Sequence, residues 1–297
     1  MKLHYFHYSI HKKDEGRQIK SVLTRVLGFS TAKVRSAKFD PAGILLDGER
    51  APVTRTVTAG QTLSILLNDS EHKDANLVPT PMALSVLYED EDLIILDKPA
   101  GMVCHPSKGH VTDSLASGVL AYFQEQGDTR SNIHLIGRLD KDTTGVVTIA
   151  KNSAAADFLA LERERGEWAK TYYCLVEGEL LSPGSRGDIT IPMEEYRDEN
   201  GNLKMREAQA GGLSAITHYE IIRITDHTTL CRVRIETGRT HQIRFHMAAI
   251  GHPLIGDALY GKPSSDLGHA ALYAESVRLI QPFTGKALEI HSRLCPF

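Results

Sequence analysis

The chain is 297 residues long, 41% apolar and 24% charged, with a formal net charge of −3. That is an ordinary soluble composition, long enough for roughly two domains and a sizeable core, and it gives no global signal for nucleic acid. No apolar run approaches the ~18 residues of a spanning helix, and MKLHYFHYSIHKK lacks the apolar centre of a leader, so the cytoplasm is the expected compartment.

Charge is local rather than global. Between residues 12 and 38 stand Lys12, Lys13, Arg17, Lys20, Arg25, Lys33, Arg35 and Lys38, against Asp14 and Glu15. Such a segment fits a phosphate-facing surface or a solvated helical face. Within it, GRQIKSVLTRVLG places Ile19, Leu23, Val26 and Leu27 at helical spacing, with Gly28 as the stop. FSTAKVRSAKF predicts a second short helix capped by Ser30 or Thr31, ILLDGER a strand turning at Asp47-Gly48, and QTLSILL another strand. This order resembles the small S-four-like RNA-binding module, although the FDPAG helix end and the LLDGER turn depart from its usual pattern. The module is expected over 1–68, a polar, proline-bearing linker over 69–82 and a second domain over 83–297.

In that second domain, ALSVLYEDEDLIILDKPAG predicts a hairpin that delivers Lys98 to its end. Residues 112–124 and 152–165 read as helices. TYYCLVEGEL, SAITHYEIIRI, TLCRVRIET and ALYAESVRLI read as strands. Many strands joined by turns, with few helices between them, predict an α+β fold: a mixed, largely antiparallel central sheet flanked by helices. Cys104, Cys174, Cys231 and Cys295 form no CxxC or zinc spacing and are expected as reduced thiols.

Three segments carry more chemistry than structure requires. IGRLDKDTTG, residues 136–145, holds more charge and hydroxyl than a chain reversal needs. A capped surface turn explains Asp142, the threonines and Gly145, but explains Arg138 and Asp140 less well. Asp140-x-Asp142-x-Thr144 also fits a DxDxT phosphoryl-transfer signature, while a calcium loop fails because Lys151 occupies its twelfth position. In EWAKTYYCLVEG, alternation puts Lys170 and Tyr172 on one strand face, which a plain amphipathic strand with a core aromatic also explains. In RVRIETGRTHQIRFHMAAIGHPLIGDALYG, a strand with Val233 and Ile235 inward leads into a helix. Ile243, Met247 and Ile250 form its buried stripe, His241 and Arg244 flank that stripe, and Arg239 lies at the first turn. His241, His246 and His252 lack metal-site spacing. Arg239, His241, Gln242 and Arg244 suit a phosphate or carboxylate better.

Together these segments resemble the RluA-type pseudouridine synthases. The family's H-R-L-D-x-x-T-S-G matches Gly137–Gly145, D-K-P-x-G matches Asp97–Gly101, and K-x-Y matches Lys170–Tyr172. T-G-R-T-H-Q-I-R-x-H followed by G-x-P-L-x-G-D-x-x-Y-G runs nearly complete from Thr237 to Gly261. The likeness covers residues 83–297. Gly137 stands where the motif has histidine and Thr144 where it has serine.

The resemblance implies isomerisation of uridine to pseudouridine, with Asp140 as nucleophile. An ionised carboxylate is disfavoured by desolvation, and the family's charge partner falls on Arg244. Tyr172 takes the place of the tyrosine that packs against the base and assists proton removal at carbon 5. Arg138 is the candidate to fill the space the base leaves. Leu139, Thr144, Lys170, Arg239, His241 and Gln242 are the remaining expected substrate contacts, and Lys20, Arg25, Lys33, Arg35 and Lys98 the expected RNA contacts. No metal or organic cofactor is implied, because the reaction is an isomerisation. The expected partner is structured RNA, ribosomal RNA of the large subunit ahead of transfer RNA, with no membrane or DNA, and the chain is expected as a monomer. Two rival classes remain: a DxDxT phosphatase, which EDTA would silence, and a non-catalytic RNA-binding protein on the same scaffold.

Overall fold

The computed structural model describes residues 3–69, 77–107, 109–128, 132–180, 182, 184–225, 227–264, 267–294 and 297. Residues 70–76 of the expected linker and Cys295 lie outside these. The strands are β1 (Tyr5–Ser9), β2 (Ile44–Leu46), β3 (Glu49–Arg50), β4 (Thr62–Leu66), β5 (Ser85–Glu89), β6 (Leu93–Lys98), β7 (His134–Ile136) and β8 (Thr144–Ala150). They continue with β9 (Ala169–Glu177), β10 (Arg186–Ile189), β11 (Met193–Arg197), β12 (Leu203–Glu207), β13 (Thr217–Thr225), β14 (Thr228–Ile235), β15 (Leu272–Ile280) and β16 (Ala287–His291). The helices are α1 (Ile19–Ser21, continued by a π turn over Val22–Val26), α2 (Thr31–Phe39), α3 (Leu115–Glu125), α4 (Ser153–Glu164) and α5 (Gln242–Ala249).

The large sheet runs β10-β13-β14-β9-β15-β8-β6-β5, with β16 beside β15 and β7 beside β8. Among the described pairs only β8 and β15 are parallel, so the sheet is mixed and largely antiparallel, as expected. Its central strands are buried on both faces, which is why they read as continuous apolar runs. Ile94, Leu96, Val147 and Ile149 join the core under α3, together with Tyr172, Cys174 and Val233 from neighbouring strands and Ile243 and Met247 of α5. Leu93, Ile95 and Val146 point the other way, against Ala155 and Leu159 of α4. Alternation along each strand produces this split.

Residues 5–66 build a separate four-stranded sheet, β1-β4-β2-β3, with its own core of Ile19, Leu23, Val34, Leu63 and Ile65. β1 was not anticipated from the sequence. The unit is seated on the larger sheet through aromatic rings: Phe29 meets Phe158 of α4 at 5.6 Å and Phe283 at 6.1 Å. Asp69 adds a polar clamp, accepting from the Ser153 amide and, at 2.8 Å, from His134 Nε2. With Lys33 also nearby, these donors hold the Asp69 carboxyl down at about 2 even though burial pulls it upward.

Candidate active site

The loop between β7 and β8 lies over the centre of the large sheet, where β8 meets β6 on one side and β15 on the other. Gly145 permits that meeting, since a Cβ there would come within 2.1 Å of the Ala274 carbonyl oxygen and φ is +108°.

Alternate carbonyls of the loop are held from below. Lys170 Nζ donates to the Gly137 oxygen at 2.7 Å, Cys104 Sγ to the Leu139 oxygen at 3.3 Å, and Lys98 Nζ to the Lys141 oxygen at 2.9 Å. The Leu139 amide donates back to Cys104 Sγ at 3.4 Å. This grip fixes the backbone on both sides of Asp140, and the Thr143 amide closes the turn onto the Asp140 carbonyl at 3.2 Å.

Asp140 keeps 25% of its side chain exposed, and its Oδ2 lies 3.7 Å from Arg244 Nη1. That is close enough for charge attraction and too long for a hydrogen bond, so Arg244 leaves that oxygen's lone pairs uncommitted. The other two nitrogens of Arg244 form a buried fork with Asp257, Nε to Oδ2 at 2.8 Å and Nη2 to Oδ1 at 2.7 Å. Burial works to raise the Asp257 carboxyl, but the fork and two backbone amides hold it below the usual carboxylate range. Tyr260 lies beside Arg244, its ring centroid 5.5 Å from the guanidinium carbon. Its hydroxyl accepts from the Met205 amide at 2.8 Å and lies 3.1 Å from His241 Nδ1.

Tyr172 is 6% exposed on the buried face of β9. Burial and then the Asp140 charge raise its phenol above the ordinary value, so it is held protonated. Thr144, at the base of the loop, is buried with its Oγ1 unpartnered among the described residues.

Several expected contacts are placed elsewhere. Lys98 is fully buried and gives its three N–H groups to the carbonyls of Pro99, Met102 and Lys141. It ends a central strand and points inward, so it is no surface RNA contact, and burial pushes it down to about 8. Lys33 is likewise internal, donating to the Leu67 and Asn68 carbonyls. A basic helix must turn one side to its core, and Lys33 lies on that side with Val34 and Ala37. Gln242 is saturated by its own loop and the start of β13: Oε1 accepts from Thr237 and the Arg239 amide, and Nε2 donates to Ile216 and Thr217. Lys170 is committed to Gly137, and Leu139 is packed in the main core. Arg239 lies before the helix instead of in its first turn, exposed, with Nε donating to the Ser214 carbonyl. Ile235 and Ile250 are half-buried, not fully inward. Lys20, Arg25, Arg35 and Arg138 are exposed. His246 and His252 are engaged by protein oxygens, of Thr217 and Ile191 for the first and of Glu177 for the second.

Asp257, Tyr260, Cys104 and Trp168 were not singled out from the sequence. Asp257 and Tyr260 sit inside the long C-terminal block, where a lone acid among apolar residues was the available signal. Trp168 accounts for Gly137. A Cβ at Gly137 would fall 2.4 Å from the indole, and φ there is +66°, so the ring occupies space that a larger residue would need.

Comparison with known proteins follows the same outline. A family model described as RNA pseudouridylate synthase matches residues 92–249. An uncharacterised RNA pseudouridine synthase of Bacillus subtilis, YjbO, is 31% identical over 268 residues, 90% of this chain and 92% of the relative. The ribosomal large subunit pseudouridine synthase D of Escherichia coli is 32% identical over 242 residues, 77% of this chain and 72% of the relative. Among solved structures, human RNA pseudouridylate synthase domain containing 1 superposes with a TM-score of 0.56 at 22% identity, over 72% of this chain and 84% of that one.

Proposed function

The chain belongs to the RluA-type RNA pseudouridine synthase family, and from that premise we propose that it isomerises uridines of large-subunit ribosomal RNA with Asp140 as nucleophile. The observation that carries the assignment is the Asp140 carboxylate itself: partly exposed, free of hydrogen bonds from Arg244, and 3.7 Å from that guanidinium. The choice of RNA follows the Escherichia coli relative, whose name is ribosomal.

In the reaction the bond from ribose carbon 1′ to uracil nitrogen 1 breaks and one to carbon 5 forms. A proton leaves carbon 5 and one is gained at nitrogen 1, so nothing is consumed and no redox partner is needed. Asp140 supplies the attacking carboxylate. Its bond to the substrate, at ribose carbon 1′ or on the base, forms in the first half of the reaction and breaks again once carbon 5 is joined to carbon 1′. The free carboxylate is thereby regenerated, and the fixed loop aims it without reorganisation. Arg244 offsets the charge that burial would otherwise oppose. Tyr172 packs its ring against the base, and its hydroxyl, within reach of the Asp140 charge, assists the removal of the carbon 5 proton.

The uridine must leave its stack to reach Asp140, at a cost of a few kcal/mol that loops and bulges reduce. Arg138, exposed beside the nucleophile, takes the vacated space. Residues 1–68 act as the RNA-binding module, with Lys20, Arg25 and Arg35 offsetting the extrusion through phosphate contacts, and residues 83–297 form the catalytic domain.

The test is a pseudouridine map of cellular RNA with and without this gene. Loss of sites in large-subunit ribosomal RNA is expected. Loss confined to transfer RNA would overturn the substrate, and no loss anywhere would overturn the assignment.

A further inference from the structure

Arg163 leaves the last turn of α4 and ends between two loops that carry arginines of their own. Its guanidinium carbon lies 5.6 Å from the Trp168 ring centroid, and Nη2 fills the space at Gly238, where a Cβ would come within 2.1 Å. Trp168 in turn packs on Gly137. Gly137 precedes Arg138 and Gly238 precedes Arg239, so each of the two loops that Arg163 reaches, one directly and one through Trp168, carries an arginine.

Among the described residues no carboxylate pairs with Arg138, Arg163 or Arg239. Arginines on the strands are treated differently: Arg186 and Arg232 share Glu220, and Arg206 meets Glu194. Arg163 is also half-buried, unlike the solvated arginines of the surface. The charge of Arg163 acts on both Tyr172 and Lys170, which places it within electrostatic reach of the nucleophile's surroundings.

A half-buried arginine with no carboxylate beside it leaves its charge for an arriving anion to neutralise. Laying Arg163 on an indole removes its rotamer freedom beforehand and offsets part of its desolvation. The remaining N–H fork suits the paired oxygens of a phosphodiester. We propose that Arg163, seated on Trp168 and Gly238, is a backbone-phosphate site for the RNA strand that delivers its uridine to Asp140. This rests on the reading of the Asp140 site as RNA-modifying.

The test uses the full chain carrying Asp140→Asn, so that no turnover intervenes. Binding of end-labelled oligouridylate is followed by anisotropy across a salt series. Arg163→Gln is expected to make the slope of log affinity against log salt shallower by about 0.7, the share of one single-strand phosphate contact. Arg163→Lys is expected to keep the slope, because the charge remains. An unchanged slope in Arg163→Gln overturns the proposal. An equal loss in Arg163→Gln and Arg163→Lys also overturns it, by showing that the side chain serves only as a wedge against Gly238. Should Arg163→Gln fail to fold, Arg163→Met keeps the apolar stem on Trp168, removes the charge and gives the same reading. A slope shallower by about 0.7 supports the phosphate site, and an unchanged slope refutes it. Pseudouridine formation by the unsubstituted protein is scored separately in cellular RNA, so the failure of one reading is distinguishable from the failure of the other.

Discussion

Arg244 and Asp257 are joined by two parallel hydrogen bonds of 2.8 and 2.7 Å inside the protein, and this fork leaves one guanidinium nitrogen facing Asp140. Both side chains are 5% exposed or less. The pair thus sets the direction from which positive charge reaches the proposed nucleophile. Neither residue alone would do so, because an unpaired arginine at this depth would be strongly destabilising.

Asp257→Asn breaks the charge balance while keeping the shape. Removing one partner of a buried pair costs roughly 3–5 kcal/mol, and the amide's remaining acceptor puts the loss at the lower end. A swung Arg244 is expected to lower kcat by about 10²-fold, the penalty of a misplacement near 1 Å. Urea unfolding together with single-turnover pseudouridine formation measures both. A stability loss with kcat unmoved would show that the fork has no bearing on the reaction.

Gly137 and Trp168 form a matched pair. Gly137→His forces a side chain into a left-handed backbone and against the indole, and is expected to destabilise by about 2–4 kcal/mol. Pairing Gly137→Ala with Trp168→Ala relieves the clash, so the double variant should be more stable than the sum of the singles by roughly 0.5–3 kcal/mol. Additive losses in thermal unfolding would contradict the contact.

Lys170 makes stability depend on pH in an unusual direction. Burial pushes its ammonium down to about 7 from the usual 10.5. The folded state therefore holds this proton less tightly than the unfolded chain, so its contribution is complete above 10.5 and is lost as pH falls through about 7. Lys170→Met removes that dependence. The stability of the unsubstituted protein relative to the variant should rise by on the order of 2 kcal/mol between about pH 7 and pH 9. A flat difference across that range would place the lysine in solvent.

Much of the fold was legible because its signals are local. The β5–β6 hairpin, α3, α4, β9 and the β13–β14 pair carry period-2 or helical apolar patterns, and the Ser30 cap of α2 is a short-range hydrogen bond. β10, β11 and β12 are short and mostly polar, and β7 has only three residues, so no pattern marks them. The charged residues were harder. Lys33 and Lys98 look like solvent groups in sequence, and only the carbonyls they meet, such as Lys141 for Lys98, show where they go. Asp140 and Arg244 could be proposed as partners through family likeness, while the Asp257 fork depends on a chain fold that brings α5 against the following loop. The exchange of a motif histidine for Gly137 makes sense only beside Trp168, 31 residues away.

Asp140→Asn removes the proposed nucleophile with the least change in shape. Asparagine keeps the side-chain outline, and the Asp140 backbone carbonyl still accepts from the Thr143 amide. Pseudouridine formation in RNA incubated with this variant is predicted to be abolished, with the unfolding midpoint and RNA affinity close to those of the unsubstituted protein. Pseudouridine appearing at the original rate would show that Asp140 is not the nucleophile.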